Sequence, residues 1–289
     1  MAPLPASPRA RVEDMHEHGR VRIGVKPGQW GWTWEELVAS WQEAERSRFD
    51  LVSCFDHVSA APAGMAAWNA PSLLVAMAGA TRRVRLAVDV LNAALRHPFL
   101  LAGELAVAQA ASGGRLQVGL GAGSFHLARF DHGALGIPFP PLAQRLDRLG
   151  RCCQVLPALW RGEEVSDAML GLSGAALGPL GIAPPPTVVG GRSKRAMAVA
   201  ARFADGWNAV VADAATFAAL AREVDQVCAE VGRERPLEKQ AQVFVRDVDL
   251  TQARALVEAL GAAGAAAVTF VLVEERGPDA VRRLADSVL

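Results

Sequence analysis

Residues 84–124 read VRLAVDVLNAALRHPFLLAGELAVAQAASGGRLQVGLGAGS. The run Val84–Leu91 is apolar almost throughout, and so is Leu116–Leu120. Strands of that kind belong to parallel sheets covered by helices on both faces, because an alternating pattern would leave one face for water. Between the two runs, Pro98 precedes an apolar helical segment, Phe99–Ala111, and the glycine pair Gly113-Gly114 follows it. Strand, crossover helix and strand within this span make one parallel βαβ unit.

The same unit recurs in both directions along the chain. Short apolar runs bounded by Gly, Pro or polar residues predict further strands at Arg22–Lys26, Phe49–Phe55, Thr187–Val189, Trp207–Val211, Gln240–Val245 and Ala266–Val273. Helices are predicted at Thr33–Arg48, Ala70–Ala80, Leu142–Trp160, Ser193–Ala204, Ala214–Val231, Thr251–Ala263 and Pro278–Val288. Thr33 reads as a capping start with Glu35 and Glu36 in its first turn, Thr251 as an N-cap, Gly261 and Gly264 as stops, and Pro278 as a first-turn residue. Eight strands alternating with helices, ending on a helix, predict an α/β fold, the (β/α)8 TIM barrel. A doubly wound open sheet competes less well with that count. The connection from the fourth strand to the fifth, 121–186, is much longer than the others and ends in the Gly/Pro-rich stretch Ser166–Pro186, and such connections are usually functional. The expected organisation is a flexible tail at 1–20, which holds His16 and His18, and a single domain at 21–289.

Composition narrows the function. The 289 residues are 51% hydrophobic and 21% charged with zero formal net charge, which excludes a disordered chain, a fibre and a small disulfide scaffold. No global basic field recruits nucleic acid or anionic lipid, and no apolar run is long enough to span a membrane. The four cysteines Cys54, Cys152, Cys153 and Cys228 lack metal-ligand spacing and read as reduced thiols of a cytoplasmic protein. Cys152 and Cys153 lie among the apolar residues of a helix and read as core. The expected partner is a small molecule, and a neutral surface permits a homodimer.

In a barrel of this type chemistry sits at the C-terminal ends of the strands. Strand two ends in Asp56-His57, a carboxylate beside an imidazole able to carry a proton near neutral pH; the other reading is a surface loop or helix cap. After strand five, Gly190-Gly191-Arg192-Ser193 runs into a helix, so free amides and a guanidinium could hold a phosphate; the other reading is an ordinary turn. Gly119-Leu120-Gly121-Ala122-Gly123-Ser124 lacks the third glycine of a dinucleotide fingerprint, and admits either a flat ligand against the backbone or a tight turn. Trp30, Trp32 and Trp34 either stack on a ring or pack the rim. His126, Asp131 and His132 form a loose group without metal spacing, so no metal is expected. Asn92 follows strand three, and Glu274 and Glu275 follow strand eight. The chain has no tyrosine, so no phenol can donate a proton.

These residues, taken in order, resemble the luciferase-like monooxygenase superfamily, in particular its branch using the deazaflavin coenzyme F420. The resemblance rests on Phe55-Asp56-His57, Arg96-His97-Pro98, Gly113-Gly114-Arg115-Leu116 leading into the strand-four glycines, Gly136-Ile137-Pro138-Phe139-Pro140, Arg145–Leu149, Leu159–Gly162, Pro185–Gly191 and Ala204–Asn208. It implies a flavin-type ring at the barrel mouth, coenzyme F420 or alternatively FMN. It implies a non-proline cis peptide at Asp89-Val90 behind the ring, Asp56 at the ring edge or its hydroxyl, and His57 facing the reacting carbon. Asn92 would reach the polar end of the ring, Gly121, Ala122 and Gly123 would lie against the coenzyme, and Gly190, Gly191 and Arg192 would take its phosphate. Trp30, Trp32, Ser124 and His126 would line the substrate side. The implied activity is hydride transfer to or from a small organic substrate; the alternatives are an FMNH2-dependent monooxygenase using O2 and a catalytically inactive flavin-binding homologue. Relatives often carry an acid shortly after the strand-four glycines, where this chain has Ser124-Phe125-His126, so His57 or His126 would have to substitute.

Overall fold

All eight expected strands form, and they close into a parallel barrel in chain order. The computed structural model describes residues 20–59, 64 and 67–289. The expected tail, with His16 and His18, falls outside them apart from Arg20. That residue is anchored, its guanidinium donating two bonds of 2.8 and 2.6 Å to Asp50.

The elements are β1 (Arg22–Pro27), α1 (Trp34–Arg46), β2 (Leu51–Cys54), α2 (Ala70–Ala80), β3 (Arg85–Asn92), α3 (Pro98–Ser112), β4 (Leu116–Gly121), α4 (Phe125–Ala134) and α5 (Leu142–Trp160). A short antiparallel pair follows, β5 (Val165–Asp167) with β6 (Leu172–Ala175). The second half of the barrel is β7 (Thr187–Gly190), α6 (Lys194–Phe203), β8 (Gly206–Val210), α7 (Ala214–Glu230), β9 (Glu238–Phe244), α8 (Ala253–Ala262), β10 (Ala267–Leu272) and α9 (Gly277–Val288). β4 pairs directly with β7, so the long connection stays outside the barrel wall, and β1 pairs with β10 to close it.

Local chemistry explains most boundaries. Thr33 and Glu36 form a reciprocal capping box at α1, with bonds of 3.2 and 2.8 Å. Prolines open α2, α3 and α9, where a missing N–H costs nothing. Two expectations need correction. Thr251 does not cap α8: Asp249 accepts its amide at 2.9 Å and holds it in a 3-10 turn, Leu250–Gln252, ahead of the helix. Gly261 is not a stop but lies inside α8, where the Val21 side chain leaves no room for a Cβ.

The main apolar core lies between barrel and helices, where Trp41, Trp160, Trp207, Phe217 and Phe270 are fully buried. Cys152 and Cys153 are buried there as expected, and burial pushes the Cys152 thiol up to about 11. The barrel interior is polar instead. Gln117 and Gln240 exchange amide bonds of 3.1 and 3.0 Å across it, and Gln240 also donates to Glu238 at 2.6 Å. One layer higher, the Lys26 ammonium donates to the Asp89 carbonyl at 2.7 Å and to Gln242 Oε1, while Gln242 Nε2 donates to Asn208 Oδ1 at 2.5 Å. Burial brings Lys26 down to about 8 and pushes the Asp89 carboxyl up. No described helix is long and apolar enough to cross a membrane.

Candidate functional site at the barrel mouth

A cavity of about 570 Å³ opens at the C-terminal ends of the strands, with the Lys26 layer as its floor. Its volume is that of a small-molecule site. Residues from β1, β3, β4, β7, β8, β9, α4, α5 and α6, and Phe55–His57 just after β2, reach it.

On one side stands His57. The chain leaves β2 through Phe55, whose amide donates to Gln29 Oε1 at 2.6 Å. The His57 ring then stacks on Trp30 at 4.7 Å, and its Nδ1 lies 2.7 Å from Asp131 Oδ2. The other Asp131 oxygen accepts the Val58 and Ser59 amides, both at 2.9 Å. Burial alone would raise the Asp131 carboxyl, but the bonds from His57 and these two amides hold it below the usual carboxylate range. An ionised Asp131 fixes the proton on Nδ1 and leaves Nε2 as the exchangeable nitrogen. The acid partner of His57 therefore comes from the middle of α4, not from positions 124–126.

Asp56, expected at the coenzyme, borders the cavity with its carboxylate engaged by the protein. Oδ2 accepts the Asn92 amide at 2.9 Å and Arg96 Nη1 at 2.7 Å, and Arg96 Nη2 stands 2.7 Å from Oδ1. Asn92 is similarly held. Its Oδ1 accepts the Ala94 amide at 3.0 Å, and its Nδ2 faces His132 Nε2 at 3.3 Å. His132 Nδ1 donates to the Pro138 carbonyl at 2.7 Å, which fixes that ring as the acceptor toward Asn92.

The back wall is Val90. The Asp89-Val90 peptide is cis, and the β3–β4 register shifts between Val88 and Leu91. A Cβ on Gly119, Gly121 or Gly190 would stand 3.0, 2.5 or 2.8 Å from a Val90 methyl carbon. Gly121 and Gly190 thus seat Val90 and also line the cavity, while a Cβ on Gly119 would first strike the Val88 carbonyl. Gly123, at φ +76°, makes room for the Asn92 amide.

The opposite side is built from backbone. Gly191 has φ +147°, its N–H donates to the Asn208 carbonyl at 3.1 Å, and Trp207 Nε1 donates to its carbonyl at 2.7 Å. The chain then enters α6, whose first turn has amides without helical partners. Ser193 caps it by accepting the Ala196 amide at 3.2 Å. Arg192 is exposed beside this turn. Asn208 is 1% exposed and lines the cavity, and its Nδ2 finds no acceptor among the described residues.

The expected substrate residues divide. Ser124 lines the cavity and caps α4. Trp30 backs His57. Trp32 is not in the cavity: it is 2% exposed, and a Cβ on Gly28 would meet its indole nitrogen at 2.9 Å. His126 is exposed and does not line the cavity. Glu274 and Glu275 border a separate recess with Arg246. The sequence reading missed Lys26, Gln242 and Asn208 altogether, and Asp131 as the partner of His57. For Asp131 a signal existed: Ala128, Asp131 and His132 lie at helical spacing and are all buried.

Comparison with known proteins gives three results. Residues 16–282 match the model of the luciferase-like monooxygenase family. An F420-dependent glucose-6-phosphate dehydrogenase of Beutenbergia cavernae is 31% identical over 150 residues, which are 50% of this chain and 43% of that one. The chain thus spans less than half the length of that curated relative. Two solved structures superpose over 93% of this chain and 98% of their own, each at 15% identity. One is an F420-dependent secondary alcohol dehydrogenase in complex with an F420-acetone adduct, with TM-score 0.77. The other is the coenzyme F420 dependent tetrahydromethanopterin reductase from Methanopyrus kandleri, with TM-score 0.75. At that identity the likeness is one of fold.

Proposed function

The chain belongs to the luciferase-like monooxygenase family, and from that premise we propose that it is an oxidoreductase moving hydride between coenzyme F420 and a small organic substrate. The observation that carries this reading is the division of the cavity. Val90 gives a flat apolar wall, the Gly191–α6 turn and Arg192 give a phosphate seat, and His57 faces them from the other side. The residues fit such a coenzyme: the orphaned Asn208 amide is a buried donor beside the turn, placed for an oxygen of the coenzyme. The coenzyme supplies the hydride chemistry, and the protein supplies position and proton transfer.

In this reading Arg192 and the first-turn amides of α6 hold the phosphate. Val90 would offer its apolar side chain to the ring. His57 Nε2 gives or takes the substrate proton, and Asp131 holds that imidazole in one tautomer. Asp56 builds the wall, fixing the end of β3 through Asn92 and Arg96. The free cysteines suit a reducing compartment, and we place the protein in the cytoplasm.

The test is a titration of purified protein with oxidised coenzyme F420 and, separately, FMN, followed by absorbance and fluorescence. The expected outcome is saturable binding of the deazaflavin at least tenfold tighter than FMN. Preference for FMN moves the chain to oxygen chemistry. A bound deazaflavin that no donor or acceptor turns over makes it an inactive binder.

A further inference from the structure

We infer that the substrate is an uncharged, predominantly apolar alcohol or carbonyl compound, and that a phosphorylated sugar is excluded. The inference rests on the oxidoreductase reading and deepens it. It comes from how the charges around the mouth are engaged. Among the described residues lining the cavity, Lys26 and Arg192 are the only Lys or Arg side chains. Lys26 is 1% exposed, sits at the floor, and is bonded to the Asp89 carbonyl and Gln242. Arg192 stands at the phosphate seat of the coenzyme.

The arginines just behind the lining are turned away from it. Arg96 is clamped on Asp56. Arg145 donates to the carbonyls of Ala122, Gly123 and Pro140, and its guanidinium lies over the Phe139 ring at 4.2 Å. Arg148 donates to the carbonyls of Ala93 and Arg96. Arg246, over the Phe244 ring at 4.9 Å, is not in the lining and has Asp247 and Glu274 at 3.6 and 4.0 Å. A second phosphate in this cavity would lose its water without meeting an unengaged cation in the lining, a cost that selects against it.

What remains for a substrate is apolar: Leu127, Ala128, Leu142, Leu146, Val210 and Phe244. Leu142 and Val210 are 52% and 43% exposed, so the rim itself offers apolar surface for a ligand to cover. The same cavity is bordered by one exchangeable nitrogen, His57 Nε2, held by Asp131 of the helix that carries Leu127 and Ala128. That pairing suits a molecule with a single reacting oxygen at one end and hydrocarbon at the other. Its carbon–hydrogen bond breaks as the hydride, with the electron pair, passes to the oxidised deazaflavin. The hydroxyl proton passes to His57 Nε2, leaving a carbonyl; the reverse consumes a carbonyl and the reduced coenzyme.

The test uses the full chain loaded with coenzyme F420, with coenzyme fluorescence as the readout. Titrants are 2-butanone, 2-hexanone and 2-octanone, then glucose 6-phosphate. Each ketone is expected to bind saturably, with affinity rising about fourfold per methylene until the cavity is filled, and glucose 6-phosphate is expected to give no response. Val210→Lys, which places a cation at an already half-open position, is expected to gain at least tenfold affinity for glucose 6-phosphate. Saturable binding of glucose 6-phosphate by the unaltered chain, or a flat ketone series, overturns the inference. Failure of the coenzyme to bind overturns the oxidoreductase reading instead. The same titrants followed by calorimetry on coenzyme-free protein then decide the apolar preference by itself.

Discussion

The two sides of the barrel mouth are built by different means. On the β2–β4 side, polar groups bind one another: Asp131 with His57, Asp56 with Arg96, and Asn92 with His132. On the β7–β8 side, position comes from glycine, a helix start and a backbone pinned by Trp207 and Asn208. A side chain that must hold one proton in one place needs a partner to orient it. A phosphate seat needs the reverse, donors left unpaired until the ligand arrives. The first side is committed internally and the second is open to the ligand.

The largest test of this contrast is His57→Ala. It is expected to lower turnover about 10³-fold, within the range of a lost general acid or base, while coenzyme affinity changes less than threefold. Loss of coenzyme binding would erase the distinction, because His57 would then serve the open side.

Gly191→Asp comes next. A carboxylate repels the phosphate, and any Cβ there meets the Ala196 Cβ at 2.8 Å with φ at +147°. Coenzyme affinity is expected to fall about 100-fold, a cost of about 2.7 kcal/mol. Gly191→Ala and Arg192→Ala, measured beside it, separate the steric part from the charge. A folded Gly191→Asp variant with unaltered affinity removes the phosphate seat.

Gly121→Ala acts on the wall the two sides share. Its Cβ stands 2.5 Å from Val90 Cγ2, an overpacking expected to cost about 2 kcal/mol in urea unfolding. Adding Val90→Ala is expected to recover most of that loss, and a double variant no more stable than the single disproves the seating of Val90.

The smallest effect concerns the floor beneath both. Lys26 titrates at about 8 in the fold against 10.5 ordinarily, so the unfolded chain binds more protons between those values. Stability therefore rises with pH across that window, by about 1 kcal/mol from pH 8 to 9. Lys26→Met is expected to flatten the rise; an equal slope in both proteins places the titration elsewhere.

Much of this was legible in the linear chain. The helices Ala70–Ala80 and Leu142–Trp160 end where their patterns end, and the Thr33 capping box is local chemistry. Missed were α4, β5 and β6. FHLARFDHGA is a short, mixed segment that becomes a helix under its Ser124 cap and the burial of Ala128, Asp131 and His132. The β5–β6 pair is too short and glycine-rich to show a strand period. Trp32 shared its spacing with Trp30, yet one is core and the other backs the imidazole.

The sequence by itself determined the barrel, because hydrophobic period and cap chemistry act over a few residues and repeat along the chain. It also placed Asp56, His57 and the Gly190–Arg192 turn at the mouth, since strand ends locate that face. Only the tertiary structure decided which groups are occupied. Asp131 reaches His57 from 74 residues away, and Gly121 and Gly190 are shaped by one valine on another strand. Pairings of that range are set by barrel closure and by desolvation of buried charge, and neither leaves a period in the chain.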